Sequence, residues 1–205
     1  MKSVKLFTTG LFALFAVGVA NAQQEADNTA DDAISFGVKG GVNFATVTGG
    51  EDGFDPDSRT SFHVGVVGEF PLDDMISIQA EALYSGQGFE ISDSEVSDDK
   101  VEYQLDYLNI PILAKVYLFE GFSLEAGPQF SFKVNEEIDS DPNNDDGDTN
   151  VEIAEDFDIG VSAGVTFLTD MGLFASGRYN LGFQDVVEDS NLQNSVFQIS
   201  LGYKF

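Results

Sequence analysis

His63 is the only histidine in the chain, and no cysteine accompanies it. An imidazole is the side chain best suited to general-base work near neutral pH. With a serine or an acid beside it, His63 would support acyl transfer on a lipid or peptide. No nucleophile can be matched to it by spacing alone, and the plainer expectation is a satisfied structural histidine. A second constellation is Asp139-x-Asp141-x-Asn143-x-Asp145, which has the opening of a calcium loop. It lacks the glycine at the sixth position and the glutamate at the twelfth, so it is no EF-hand. Residues 135–158 carry eleven carboxylates. Weak capture of Ca²⁺ or Mg²⁺ is one expectation, and a solvated acidic loop is the plainer one.

What must position such residues is legible in the alternation of the chain. The final segment, Phe197-Gln198-Ile199-Ser200-Leu201-Gly202-Tyr203-Lys204-Phe205, puts every large apolar residue at an odd position. In a strand, period two sends the two sets to opposite faces. The same pattern predicts eight strands: Ile34–Val47, Thr60–Phe70, Met75–Phe89, Glu102–Leu118, Phe122–Val134, Asp156–Leu168, Gly172–Gln184 and Ser195–Phe205. Connections alternate long and short, with tight turns expected at 71–74, 119–121 and 169–170 and the longest loop at 135–155.

The apolar face recurs strand after strand with few polar breaks, while the other face carries Lys, Glu, Gln and Ser. A soluble sheet packs its apolar face against a second layer; a barrel in lipid turns it outward. Phe36 to Phe44, Phe62 to Phe70 and Phe197 to Phe205 are each eight residues apart on that face. Eight residues at about 3.4 Å, tilted about 40°, climb roughly 21 Å, close to the apolar band between two aromatic girdles. The fold class expected is an all-β, eight-stranded antiparallel up-and-down transmembrane β-barrel over residues 34–205.

Lys2 and Lys5, the apolar run Leu6–Ala20 and the small-x-small site Ala20-Asn21-Ala22 read as a secretory signal peptide over 1–22. Residues 23–33 read as a disordered spacer. Without Lys2 and Lys5 the chain holds 7 basic against 36 acidic residues, a net charge of −29. No basic surface exists to release counterions from phosphates, so nucleic acid is excluded as a partner. Five of the seven basic residues nevertheless fall on the expected inner face: Lys39, Lys115, Lys133, Arg178 and Lys204, opposite Glu69, Glu81 and Glu125. A proton or ion path would use such residues. An ion-pair network plugging a narrow lumen is the simpler expectation, because eight strands leave room only for side chains. His63 is expected near the extracellular edge.

With these residues in view the chain resembles the PorT-like family of bacterial outer-membrane β-barrels across 34–205. The likeness rests on Gly37-Val38-Lys39-Gly40-Gly41-Val42-Asn43-Phe44, Tyr107-Leu108-Asn109-Ile110-Pro111, Leu124-Glu125-Ala126-Gly127-Pro128-Gln129 and Gly177-Arg178-Tyr179-Asn180-Leu181-Gly182. It implies an outer-membrane location with both termini periplasmic. Outer-membrane lipid and lipopolysaccharide, the barrel-assembly machinery and other envelope proteins become the expected partners, with no cofactor. It also implies that the terminal Phe205, with Tyr203, is the assembly signal. A non-enzymatic structural or interaction barrel, secretion-associated in some members, is the expected function. A narrow ion or small-solute channel and an enzyme built on His63 are the alternatives.

Overall fold

Each alternating stretch is a strand, and ladder bonds join strands that are neighbours along the chain. The computed structural model describes residues 34–49, 56–92, 100–139, 148–150, 154–186 and 191–205. The segments expected as signal peptide and spacer lie outside them. Among the described residues nine strands are present: β1 (Ser35–Gly49), β2 (Asp57–Asp73), β3 (Ile76–Ser92), β4 (Lys100–Phe119), β5 (Phe122–Asp139), β6 (Asp148–Asn150), β7 (Phe157–Leu168), β8 (Leu173–Asp185) and β9 (Leu192–Lys204). Eight of them close a ring, with β9 pairing β1 and β4 pairing β5, all antiparallel. The short β6 adds to the free edge of β5 above β7, pairing Asp148 with Asp139. Closure leaves the ring without an open edge, which is the condition for placing strands in lipid.

The register sets the slope of the ring. One row of directly opposed residues runs Tyr117, Ser123, Thr166, Ser176, Ser200, Gly41, His63, Ser85, Tyr107. It leaves β4 at Tyr117 and returns to β4 at Tyr107, ten residues further along the strand. Ten residues of about 3.4 Å rise against eight strands about 4.8 Å apart give a tilt of about 41°.

The faces follow the expected phase. Lys39, Asn43, Glu69, Glu81, Asn109, Lys115, Glu125, Arg178 and Gln198 are buried inside, while Val38, Val64, Ile112, Leu124, Val165 and Leu201 are exposed outside. Paired aromatics mark one level of the outer surface: Phe44 with Phe197, Phe62 with Tyr84 and Phe132 with Phe157, at centroid distances of 6.4, 6.0 and 5.2 Å. Phe119 and Phe122 stack at 4.9 Å at the other level, where the tight turns lie. There Asp73 caps its turn by accepting from the N–H groups of Met75 and Ile76, both at 2.8 Å. Gly121 takes φ +74° at the next, a left-handed conformation that a side chain would strain.

Two expectations need correction. The turn placed at 71–74 falls at Asp74–Met75, because β2 keeps pairing through Pro71 and Asp73. The loop expected at 135–155 is partly ladder, since β5 continues to Asp139 and pairs β4 and β6. Strands β2, β3 and β4 are likewise longer at that end than the apolar pattern predicts. The reason is a core inside the extended ring, where Val47, Phe89, Leu105, Tyr107, Ala154 and Val186 pack together with Tyr103 and Leu192 against them. At the 41° tilt, the 20 residues of β4 climb about 51 Å, twice the ~25 Å apolar band.

Candidate functional site in the barrel lumen

Period two delivers charges from seven strands to one axis, and the tilt decides which of them meet. Arg178 on β8 is the centre. Its Nη1 and Nη2 donate to Glu81 on β3 at 2.8 Å each. Its Nε and Nη2 donate to Glu125 Oε1 on β5 at 2.9 and 2.6 Å. Lys39 on β1 reaches Glu81 Oε2 at 3.3 Å, and Thr166 Oγ1 donates to Glu125 Oε2 at 3.0 Å. Two cations therefore face two anions, each with further hydrogen bonds, as buried ions require. Gly164, opposite Arg178, leaves space for the base of that side chain.

A second group lies toward the tight turns. Glu69 accepts from Lys115 at 3.0 Å, from Ser77 at 2.6 Å, and from Lys204 and Tyr117. Lys115 also donates to Gln79 Oε1 at 3.1 Å, and Gln79 Nε2 donates to Glu81, which joins the two groups. The structure thus brings Lys39, Glu69, Glu81, Lys115, Glu125 and Arg178 into one connected network and adds Lys204. Lys133 stands apart at the loop end, on Glu136 at 2.8 Å and Asp156 at 3.2 Å.

His63 lies on the inner wall beside Gly41, 1 % exposed and one residue from Phe62 of the loop-end aromatic level. Its Nδ1 lies 2.7 Å from Asn43 Oδ1 and its Nε2 2.8 Å from Ser200 Oγ. An amide oxygen only accepts, so Nδ1 carries the proton and Nε2 accepts from the serine. The ring reaches β9 by lying over Gly41, where a Cβ would come within 2.8 Å of Cε1. This is the order of an acyl-transfer triad. Ser200 is also 1 % exposed, however, and Asn43 is held by Phe62 O, Ser85 Oγ and Gly86 O, so the group is built as lumen packing.

Asn43 and Ser200 could have been found by their inward phase, but not their partnership: Ser200 stands 137 residues from His63. Asp139 ends β5 opposite Glu102 on one side and Asp148 on the other. Asp141, Asn143 and Asp145 lie outside the described residues. Tyr203 and Phe205 are exposed on the outer face, and Phe205 N donates to Phe36 O at 2.8 Å.

The model of the outer membrane protein beta-barrel domain family matches residues 21–188. The chain belongs to that family. Within the family's barrel, β9 falls beyond the matched span, yet it supplies the pairing with β1 that closes the ring. Ail, the attachment invasion locus protein of Yersinia pestis, superposes with a TM-score of 0.54 at 14% identity, covering 84% of this chain and 99% of that one. Neisserial surface protein A superposes at 0.55 with 12% identity, over 84% and 99% of the two chains. At such identities the likeness is one of fold. No curated protein matches the chain. Family and geometry agree on a bacterial outer-membrane barrel whose apolar surface faces lipid.

Proposed function

We propose that this barrel is a non-enzymatic structural or interaction protein of the outer membrane, closed to solutes, within the PorT-like part of its family. Arg178 carries this reading: its guanidinium bridges Glu81 and Glu125 across the lumen. The apolar core at the loop end closes the same axis again. Single-channel recording in a planar bilayer tests it. The expected result is a silent membrane; stepwise currents would replace this reading with the narrow channel.

The loop end faces the cell exterior and both termini the periplasm, on the strength of the even strand count and the segregation of long connections. Protease added to intact cells should therefore cut within 135–155 and spare 169–171. Lipopolysaccharide surrounds the outer end, and divalent ions can bridge it to the acidic loops that include Asp139, Asp141, Asn143 and Asp145. Ail was crystallised with the heparin analogue sucrose octasulfate. A chain with a net charge of −27 repels such a polyanion, so an envelope partner of this barrel would be cationic where it docks.

Tyr203 and Phe205 serve the barrel-assembly machinery. Deleting Phe205 should lower insertion in cells far more than refolding in detergent, and equal losses would leave only a packing role. The Ser200–His63–Asn43 order favours a second reading, acyl transfer. An active-site-directed fluorophosphonate should leave Ser200 unlabelled; labelling there would overturn the non-enzymatic reading.

A further inference from the structure

Between the Arg178 clamp and the apolar core lies a layer whose polar atoms are bonded to nothing in the protein. Asn109 Nδ2 and Oδ1, Asn180 Nδ2, Asn194 Oδ1 and Gln198 Oε1 are all buried and all without a partner. The register stacks them over successive inward positions of one stretch of the lumen. Strands β4 and β9 stand opposite each other in the ring, four strands apart in either direction. Asn194 Nδ2 on β9 donates across the axis to Tyr107 Oη on β4 at 3.4 Å, a strut spanning the lumen. One inward position toward the turns from that strut come Asn109 on β4 and Val196 on β9, and Val196 is directly opposed by Asn180 on β8. One further position down comes Gln198, directly opposed by Arg178.

The unpartnered atoms are therefore enclosed. The strut and the apolar core form the roof; Arg178, Gln198 and Asn43 form the floor. Of the wall residues directly opposite, Ser131 beside Asn109, Ser162 beside Asn180 and Ala45 beside Val196 are small, while buried Leu83 flanks Asn109 on its other side. Turning the amides over does not repair the layer. Both ends of Asn109 are free, and the other ends of Asn180, Asn194 and Gln198 are already engaged by Ser162, Tyr107 and Asn43.

We infer that this layer is a closed binding chamber for a small cluster of water molecules, held by Asn109, Asn180, Asn194 and Gln198. The chemistry selects the occupant. The free groups are uncharged amides, two N–H₂ ends and three oxygens, with no carboxylate among them to hold a metal cation and too few donors to hold an anion, whereas water donates and accepts in the same place. A buried water makes about three hydrogen bonds to groups the protein leaves unsatisfied, and it needs a polar, roomy site. The chamber supplies donors and acceptors from three strands. The inference deepens the closed-barrel reading and rests on it: the water is trapped, not passing through.

The test is nuclear magnetic resonance of the full barrel in lipid nanodiscs, using water-to-side-chain cross-relaxation. The Nδ2 protons of Asn109 and Asn180 should show cross-peaks from long-lived water. Those of Asn43, bonded wholly to protein groups, serve as the internal control and should show none. Absence of peaks at both Asn109 and Asn180 overturns the chamber. Equal peaks at Asn43 overturn it too, because a conducting lumen would wet every level, and conductance recorded in parallel identifies that case as failure of the closed-barrel reading. Asn109→Leu removes two anchors, and the Asn180 peak should then be lost. Persistence of that peak in the folded variant refutes a shared cluster. If the variant does not fold, the native protein's peaks still decide.

Discussion

The barrel is two proteins in one set of strands. In the lipid band β4 turns Leu108, Ile110 and Ile112 outward and Asn109 and Lys115 inward. Past Leu108 the same strand turns Asp106, Gln104 and Glu102 outward and Tyr107 and Leu105 inward. β1 inverts in the same way, from outward Val42 and Phe44 over inward Asn43 to outward Thr46 and Thr48 over inward Ala45 and Val47. β5 takes up one extra residue between inward Lys133 and inward Glu136, whereas in β1 and β4 the backbone phase never changes. Only the solvent does, and the aromatic level of Phe44, Phe62, Tyr84 and Phe197 marks where. Below that level lipid accepts the apolar face and the polar face must satisfy itself by ion pairs. Above it water accepts the polar face and the hydrophobic effect holds the core.

The largest test of this contrast strikes the ion pairs. Arg178→Met leaves Glu81 and Glu125 buried without their shared cation, and should cost about 3–5 kcal/mol or prevent folding. Urea unfolding of the refolded barrel, followed by its mobility shift on unheated gels, measures the loss. Adding Glu125→Gln, which leaves Lys39 facing Glu81, should recover most of it. If Arg178→Met alone is neutral, the lumen is wet at that level and the clamp is not what closes it.

How much of this could be read in the sequence follows from the same contrast. The strand number, the phase and the inward set containing Lys39, Glu81, Glu125 and Arg178 follow from period two alone. Which of these charges meet does not, because Arg178 and Glu81 lie 97 residues apart and touch only through the ten-residue stagger of the ring. The ladder past Phe89 and Val134 was hidden for another reason. There the outward residues turn polar, so Glu90, Glu102 and Glu137 look like loop, although the inward Phe89, Leu105 and Tyr107 keep the alternation.

A single charge placed outward in each region sharpens the comparison directly. Leu201, midway between Phe197 and Phe205 on β9, faces lipid, whereas Thr48 on β1 lies past the aromatic level. Leu201→Lys should destabilise by about 2–4 kcal/mol, the scale for lysine at the bilayer midplane. Thr48→Lys should fall within about 0.5 kcal/mol of the native protein. Equal costs would move the membrane boundary up to Thr48.

Leu105→Ala probes the upper core. Leu105 is fully buried, and its truncation should cost about 2 kcal/mol, the low end of the range because the ring's free rim can collapse around the gap. The loss should be local. Amide hydrogen exchange should quicken in 100–107 and 85–92 and stay unchanged in 108–118. A uniform increase along β4 would mean that band and extension unfold as one unit.

The smallest effect concerns charge on the outer wall of the extension. Asp57 stands directly opposite Glu90, Glu90 opposite Glu102, Glu102 opposite Asp139 and Asp139 opposite Asp148, so five acidic residues share one row. Like charges directly opposed destabilise a sheet by about 0.2–1 kcal/mol per pair. Arg59 answers part of this, donating to Glu102 at 3.1 Å and to Gln87 O at 2.9 Å. Raising the salt from about 10 to 150 mM shortens the screening length from about 30 to 8 Å, still longer than one interstrand spacing. Screening should therefore weaken the repulsion without abolishing it, and exchange in the upper parts of β2–β4 should slow by a factor of about two to three, equivalent to about 0.4–0.7 kcal/mol. The ion pairs around Arg178 are shielded from salt by burial, so band amides should not respond. If salt instead speeds exchange in the extension, the Arg59–Glu102 pair outweighs the repulsion, and the row is held together by charge rather than in spite of it.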